Sequence, residues 1–401
     1  MKLELRFQGG GPRRKRSIGR GRPFFVHALT IMLLLGCVGG FALPAGALTY
    51  YSSPPFPTGR LLYSHPTLRW KVWPAEPYRV QSVYMTVNGR PVFARYVEAV
   101  RSVLYTPDAS LRTGEYSVRC GVVLDNGEPL EREWRFEVAE TALHMLPEPD
   151  REPQKALEAV GRYRRLMGLP NVLLETALCA SADSHCRYLD TNSEFGHYET
   201  PGHHDFTGRD LLERNSAFGY WGGGYEDVSY GTSRAEGAVD LLFDAPYHRL
   251  PFMQPGTPDF GMGRAGKQVT LEFGLTSEQG SVVYPASGQK GVALGWSGNE
   301  EPNPLRIHGA QGRTGYVITF AYFSPNQTPI DMSSATLTDH YGDRVRCFVN
   351  SPGNDNRLSN AVFLIPEKPL EPLTTYTVLV RAATADGADI SRRWSFTTGQ
   401  K

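Results

Sequence analysis

The sequence predicts a multidomain protein in which a central α+β domain is flanked by two all-β sandwiches. Three observations predict this fold class. A chain of 401 residues is too long for a single hydrophobic core. After the N-terminal segment, helical periodicity is confined to the middle of the chain, and the parts on either side contain alternating strands that share an internal repeat. We expect domains at 48–138, 153–280 and 281–401, with a linker at 139–152.

The first 47 residues are predicted to be an export signal. A basic run at 12–16 precedes an apolar run at 24–35, and the small residues Ala45 to Ala47 form an A-x-A cleavage site. Two alternatives stay open: a retained N-terminal membrane anchor, and lipid attachment at Cys37, whose context resembles a bacterial lipoprotein site. We therefore expect a secreted or cell-surface protein that contacts a membrane only through this segment.

The distribution of charge and the spacing of cysteines exclude two further classes of feature. The first 47 residues hold eight of the 42 basic residues and one of the 41 acidic residues, so the rest of the chain is mildly acidic. This balance argues against a nucleic-acid-binding surface. Cys179 and Cys186 would lie ~10 Å apart on one helix, too far for a disulfide, so we expect buried free thiols.

The first β-rich segment and the last one are predicted to be copies of one sandwich type. In the first, Tyr116 precedes the strand Trp134 to Phe136, and in the last, Tyr376 precedes the strand Trp394 to Phe396 at a matching interval. Such aromatic residues at equivalent positions are typical of sandwich cores. Both segments resemble the bacterial immunoglobulin-like modules of exported surface proteins.

The central segment is predicted to contain three helices. Apolar spacing places them from Pro153 to about Met167, from about Leu173 to Leu189, and from about Ala235 to Phe243. The stretch 198–224, rich in glycine, histidine and aromatic residues, is expected to be irregular, and Val269–Phe273 is expected to be a strand. Helices followed by strands are the order of an α+β domain rather than of a doubly wound sheet.

A series of short motifs runs through this central segment. They are Arg164 with Gly168-Leu-Pro170, Ala182-x-x-His185, Phe195-Gly-His197, Arg214 with Gly219-Tyr220, Glu226 to Gly231, Ala245-Pro-Tyr-His248-Arg249, and Gly261-Met-Gly263. In order and spacing they resemble the CAP superfamily, also called the SCP domain, over roughly residues 153–275. The resemblance implies an α-β-α sandwich with a cleft that contains histidines and glutamates.

By position, the resemblance places His197, Glu226 and His248 in that cleft. Two neutral imidazoles and a carboxylate could coordinate Zn²⁺ and leave a position open, so His197 and His248 are candidate metal ligands. The carboxylate could instead orient an imidazole as a general base. The structural alternative is that all three hold an irregular loop by hydrogen bonds, without any ligand.

Three further features bear on this site. The later G-H-Y-T-Q segment and second glutamate of animal and plant relatives are not found, and Asp227 replaces a usual asparagine. His185 is expected to be a half-buried helix residue. The group of His203, His204 and Asp205 is expected to be a solvated loop that could still supply a ligand.

No residue is assigned a catalytic role, because the chain contains no G-x-S-x-G, H-E-x-x-H, P-loop or dinucleotide-binding fingerprint. We favour an exported, non-catalytic binding module for a lipid, glycan or protein ligand. A metal-dependent hydrolase or peptidase that uses the same cleft, and a purely structural envelope protein, are the alternatives.

Overall fold

The computed structural model of the protein describes residues 3–7, 50–232 and 234–401. The predicted cleavage site, the apolar run and Cys37 lie outside the described residues. None of the helices in the described part has the length and apolar character required to cross a bilayer.

The N-terminal part is a two-sheet β-sandwich. After β1 (Leu3–Phe7), which pairs with the central domain, its strands are β2 (Tyr50–Ser52), β3 (Gly59–Tyr63), β4 (Leu68–Pro74), β5 (Val80–Val87), β6 (Arg90–Val92), β7 (Arg95–Val97), β8 (Ser102–Tyr105), β9 (Gly114–Leu124) and β10 (Pro129–Leu143). The sheets have the strand orders β3-β10-β9-β5-β6 and β2-β4-β8-β7. Their inward-facing residues, among them Trp70, Val122 and Phe136, form one buried core.

The central part is a sheet covered by helices on both faces. Its elements are α1 (Arg151–Leu166), β11 (Leu173–Leu174), α2 (Thr176–Asn192), α3 (Leu211–Ala217), β12 (Gly224–Tyr230), α4 (Ala235–Asp244), β13 (Asp259–Ala265) and β14 (Gln268–Gly274). The strand order is β1-β12-β14-β13-β11. Val269, Leu271 and Phe273 of β14 share a core with α1 and α4. Because alternate residues face opposite sides, Thr270 and Glu272 face α2.

Two predicted boundaries in this domain were wrong. The second helix begins at Thr176 rather than near Leu173, because β11 pairs with the start of β13 instead. The stretch expected to be irregular contains α3, whose first turn is closed reciprocally: Asp210 accepts from the Glu213 amide at 3.1 Å, and Glu213 accepts from the Arg209 amide at 2.9 Å. This D-x-x-E capping signal was present in the sequence and was missed.

The C-terminal part is a second two-sheet sandwich with a short extra ribbon. Its strands are β15 (Gly280–Tyr284), β16 (Gly295–Trp296), β17 (Thr314–Gly315), β18 (Ile318–Phe323), β19 (Ile330–Thr338), β20 (Arg344–Val345), β21 (Cys347–Asn350), β22 (Ala361–Pro366), β23 (Thr375–Thr384) and β24 (Arg392–Thr397). The sheets run β15-β18-β22-β21 and β20-β19-β23-β24, and β16 pairs with β17.

The internal repeat of the sequence has a direct structural counterpart. Tyr116 lies opposite Phe136 in the β9–β10 pair, and their stacked rings are 5.2 Å apart. Tyr376 lies opposite Phe396 in the β23–β24 pair, with stacked rings 5.7 Å apart. The two sandwiches therefore use the same aromatic pair at the same place in the same hairpin.

The four described cysteines are free thiols, as expected. Cys120, Cys179 and Cys186 are buried and Cys347 is partly buried. Burial, as the largest influence, raises the pKa of each thiol to about 12. These residues act as small apolar side chains rather than as nucleophiles.

Arg249 joins the central domain to the C-terminal sandwich. Its guanidinium has no exposed surface and donates to the carbonyls of Phe243 and Asp244 at the end of α4. The same group donates to the Val317 carbonyl at 2.9 Å and to the Thr319 hydroxyl at 3.1 Å in the sandwich. One apolar core runs without interruption from α1 and α4 into that sandwich.

Arg164 provides a second buried anchor, between α1 and the segment that precedes β13. It donates at 2.6–2.9 Å to four backbone carbonyls, those of Pro170, Phe252, Gln254 and Gly256. Burial lowers its pKa to about 10, so the side chain keeps its charge at neutral pH. The four carbonyl oxygens accept the hydrogen bonds of the buried guanidinium and so compensate its charge without a carboxylate.

The N-terminal sandwich contacts the central domain through side chains at a smaller junction. The guanidinium carbon of Arg69 lies 3.4 Å from the ring centroid of Trp221, which belongs to the loop after α3. Tyr63 packs against Gly219, where an added Cβ would lie 2.9 Å from its ring. Trp221 remains 54% exposed and Arg69 is 6% exposed, so only the tryptophan side of this stack is open to solvent.

Replacement of Arg249 by lysine tests the role of this anchor. Lysine cannot reach both sets of carbonyls, so several buried acceptors lose their donors, and we expect the free energy of unfolding to fall by about 3 kcal/mol. Calorimetry measures the loss, and Arg306→Lys, at an exposed ion pair with Glu301, is the control with little change. Equal stability of both variants would contradict the anchoring role.

Candidate functional site

The side chains that face α2 form a buried polar layer. Two glycines of β13 bring α2 onto the sheet: a Cβ at Gly261 would lie 2.3 Å from the Leu178 carbonyl carbon, and one at Gly263 would lie 2.0 Å from the Asp183 amide nitrogen. With the helix this close, polar groups on that face of the sheet are excluded from water and must pair with one another.

Glu226 of β12 is the centre of this layer. One carboxylate oxygen is 2.8 Å from Nδ1 of His197, and the other accepts from Arg214 of α3. Arg214 also donates to the His197 backbone carbonyl at 3.1 Å. All three side chains are at least 97% buried. The Arg214–Glu226 pair therefore holds the histidine in place from both its ring and its backbone.

A second histidine–glutamate pair lies beside the first. His185 of α2 has Nδ1 2.9 Å from Glu199 and Nε2 2.9 Å from the Gly196 carbonyl oxygen. Both neighbours are acceptors, so both hydrogen bonds form together only when the ring carries two protons. Glu199 also accepts from the backbone amides of Thr207 and Gly208, at 2.7 and 3.2 Å, which fixes the loop between them.

Two glutamates in this layer have opposite charge preferences. Glu226 and Glu272 are direct neighbours across the β12–β14 pair. Burial opposes ionisation of both, but Arg214, His185 and His197 outweigh burial at Glu226 and hold its pKa well below the usual range. Burial and then the Glu226 charge raise the pKa of Glu272 well above its usual range. A proton held by this pair therefore favours Glu272 over Glu226.

His248 lies on the other face of the sheet. Its Nδ1 is 2.7 Å from Glu300, which also accepts from the backbone amides of His248 and Tyr247. Asp227, the next residue after Glu226, faces this side, and burial followed by the charge of Glu300 raises its pKa well above the usual range. Burial likewise raises the pKa of Glu300, against the opposing effect of His248.

The structure thus brings together two of the three predicted cleft residues. His197 and Glu226 are hydrogen-bonded, whereas His248 is paired with Glu300 on the α4 side. Over the described ranges, no group of three or more His, Cys, Asp or Glu side chains has the geometry of a metal site. The three predicted residues therefore do not form one zinc shell in this arrangement. Zinc binding by His197 and His248 stays a prediction.

Comparison with known proteins identifies this domain. Residues 157–273 match the profile of CAP, the cysteine-rich secretory protein family. The central domain is a CAP domain. The predicted fold class, a CAP domain flanked by β-sandwiches, is confirmed. A search of curated protein sequences returns no match.

Solved structures give distant similarities to parts of the chain. An extracellular protein containing an SCP domain from Bacillus anthracis str. Ames is 14% identical, with 52% of this chain and 78% of that chain covered and a TM-score of 0.28. CopC from Methylosinus trichosporium OB3b is also 14% identical, with 22% and 93% covered and a TM-score of 0.19. Fibronectin(III)-like modules of Clostridium thermocellum CbhA are 8% identical, with 88% and 94% covered and a TM-score of 0.18.

Four residues of the CAP domain site were not assigned a role from the sequence. They are Glu199, Arg214, Glu272 and Glu300. Glu272 could have been found, because in a sheet covered on both faces the alternation of β14 must bury it. Glu300 had no local signal, since it comes from the segment that leads into the C-terminal sandwich.

The remaining histidines of the CAP domain lie in an exposed loop. His203 is 3.0 Å from Glu194 and its side chain is 45% exposed, as expected for a solvated loop. His204 is exposed, and its backbone carbonyl accepts a hydrogen bond from the Asn192 side chain. Asp205 accepts a hydrogen bond from the Thr191 hydroxyl at 2.9 Å. These contacts tie the loop to the end of α2.

Substitution of the two neighbouring glutamates by glutamine should have opposite effects. At pH 7, Glu226→Gln leaves the Arg214 charge buried with weaker compensation and should lower the free energy of unfolding by about 3 kcal/mol. Glu272→Gln preserves a neutral side chain of the same shape and should leave stability unchanged or raise it. Urea unfolding measures both, and a similar loss in the two variants would contradict the assigned charges.

The pH dependence of stability gives an independent check on Glu272. The unfolded carboxyl loses its proton near pH 4.3, while the native one keeps it to higher pH, so the native state binds more protons and stability falls as pH rises through this window. Glu272→Gln lacks this contribution. Its stability relative to the unmodified protein should grow above about pH 5, by up to about 1.4 kcal/mol per pH unit. A difference that is constant from pH 5 to pH 8 would show that native Glu272 is ionised.

Proposed function

We propose that this protein is exported and that its CAP domain is a non-catalytic binding module for a lipid, glycan or protein ligand. The observation that carries the proposal is the state of the predicted cleft residues. His197, Glu226 and His248 are 3%, 1% and 0% exposed, and each is hydrogen-bonded to a partner inside the protein. A general base or an open metal site has to reach its substrate, so this arrangement favours a structural use of these side chains.

Export is supported by the N-terminal sequence. The basic run, the apolar run and the small residues before residue 48 have the order of an export signal. Paired β-sandwich modules around a central domain suit a protein of the cell envelope or its surroundings. A secreted or surface location is therefore part of the proposal.

A groove between the CAP domain and the C-terminal sandwich is the ligand site that we propose. It has a volume of about 600 Å³. Aromatic side chains and a few polar groups line it together: Tyr163, Phe243, Tyr284 and Tyr316, with Asp240, Asp244 and Gln289. Ligand sites commonly lie at domain interfaces and combine apolar walls with a small number of polar groups.

A bulky substitution that fills this groove tests the proposal. Gly237 of α4 lines the groove, and an added Cβ would meet nothing within 4 Å, so Gly237→Phe should fold normally and obstruct the site. We expect the uncharged ligands captured by the full chain from lipid and glycan arrays to be lost by this variant, with at least about tenfold weaker binding. Glu158→Phe, on an exposed position of α1, is the matched control that should bind normally.

Three outcomes count against this proposal. They are capture of no lipid, glycan or protein by the full chain, unchanged binding of the uncharged ligands by Gly237→Phe, and peptidase activity that disappears in His197→Ala. The last would favour the hydrolase alternative, for which mass spectrometry should find close to one equivalent of zinc in the purified protein, reduced by the same substitution. For a binding module we expect less than about 0.1 equivalent.

A further inference from the structure

The sheet β2-β4-β8-β7 of the N-terminal sandwich has a basic and aromatic outer face. Its four strands contain Arg69, Lys71 and Arg95 and no acidic residue, and the whole segment 50–75 lacks Asp and Glu. The opposite sheet, β3-β10-β9-β5-β6, is balanced between basic and acidic residues. Because the chain beyond residue 47 is mildly acidic, this face is a local exception.

The aromatic side chains of this face are arranged on its edge strand pair. Tyr51 of β2 lies opposite Trp73 of β4, and their rings are stacked with centroids 5.4 Å apart. Tyr51 is 48% exposed. Stacked rings on a sheet surface form a flat apolar platform that is half open to solvent.

Cations surround this platform. Lys71 Nζ lies 5.5 Å from the Trp73 ring centroid, and the guanidinium carbon of Arg101 lies 5.7 Å from it. Both cations are on exposed residues. Cation–π contacts of this kind hold the charges beside the ring and leave their other donors free to bind an anion. Glu98 is the one acidic residue between positions 90 and 107.

The face continues onto the CAP domain. Residues 69, 71 and 73 alternate onto the outer side of β4 and span about 13 Å at ~3.3 Å per residue. At the end of this row, Arg69 stacks on Trp221, whose ring is half exposed. Arg69 is only 6% exposed and joins the two domains, so Lys71 is the exposed cation of this row, which has the partly exposed Trp73 at one end and Trp221 at the other.

We propose that this basic aromatic face, formed by Tyr51, Lys71, Trp73, Arg101 and Trp221, binds an acidic polysaccharide. Sugar rings present apolar C–H faces that pack on aromatic rings, and Arg and Lys pair with carboxylate or sulfate groups. Acidic polysaccharides carry roughly one charge per sugar, which suits a few spaced cations, whereas double-stranded DNA carries one per ~1.7 Å and needs a broader basic surface. This site is separate from the groove under the proposed function and does not rest on it.

Affinity measurements on the full chain test the proposal. Polygalacturonate and dextran sulfate are the acidic probes, neutral dextran is the uncharged control, and a single-stranded oligo(dT) and phosphatidylglycerol vesicles are the other polyanions. We expect saturable binding to at least one acidic glycan that weakens with salt, and little binding to neutral dextran. Lys71→Glu and Arg101→Glu should each weaken it by roughly tenfold, and Trp73→Ala by a similar factor.

Arg135→Glu is the matched control, because it reverses an exposed charge on the opposite sheet and should bind within about twofold of the unmodified protein. Thermal unfolding of each variant checks that the sandwich is intact. Absence of binding to both acidic glycans, equal losses in the control and the test variants, or tighter binding to oligo(dT) or vesicles than to the glycans would each overturn the proposal. Gly237→Phe should leave this binding unchanged, so failure here and failure of the groove are distinguishable.

Discussion

Three arginines with no exposed surface hold the CAP domain in its observed form. A buried guanidinium keeps its charge and carries five N–H donors, so the surrounding chain has to supply acceptors in a fixed geometry. Arg164 finds them in backbone carbonyls, Arg214 in Glu226 and the His197 carbonyl, and Arg249 in α4 and the C-terminal sandwich. Each arginine thereby joins segments that are distant in sequence. Displacing any one of these segments would leave a charge buried without partners.

His197, a histidine of the family motifs, takes its position from Arg214 and from Glu226. Arg214 donates to Glu226 and to the backbone of His197, while burial of Arg214 is offset by Glu226 and Glu199, so that its pKa is raised. The ionised form of Glu226 is then favoured, whereas burial and the Glu226 charge raise the pKa of its neighbour Glu272. Because the members of this buried charged cluster bond to one another, the cluster fixes the loops around α2.

Much of the fold was predictable because its signals are local or repeated. The matching intervals of Tyr116 with Phe136 and Tyr376 with Phe396 identified two sandwiches, and helical spacing located α1 and α4. The start of α2 was misplaced because an apolar residue such as Leu173 fits either a helix or a strand. Only its pairing with β13 decides between the two. The site was half predictable. The motif positions correctly placed His197 and Glu226 together. Adjacent residues of β12 face opposite sides of the sheet, and His248 lies on the other side. Its partner is Glu300, which no local pattern indicates.

The two sandwiches share an internal design but are attached to the CAP domain in different ways. The C-terminal one completes the core on the α4 side, with Arg249 at the junction, so its separation would expose apolar surface and break buried hydrogen bonds. The N-terminal one meets the CAP domain through the stack of buried Arg69 on half-exposed Trp221, and less would be lost on separation. The repeat fixes the aromatic core of each copy and leaves the docking surfaces free to differ. The CAP domain and the C-terminal sandwich therefore behave as one structural unit, on which the N-terminal sandwich is the more separable part.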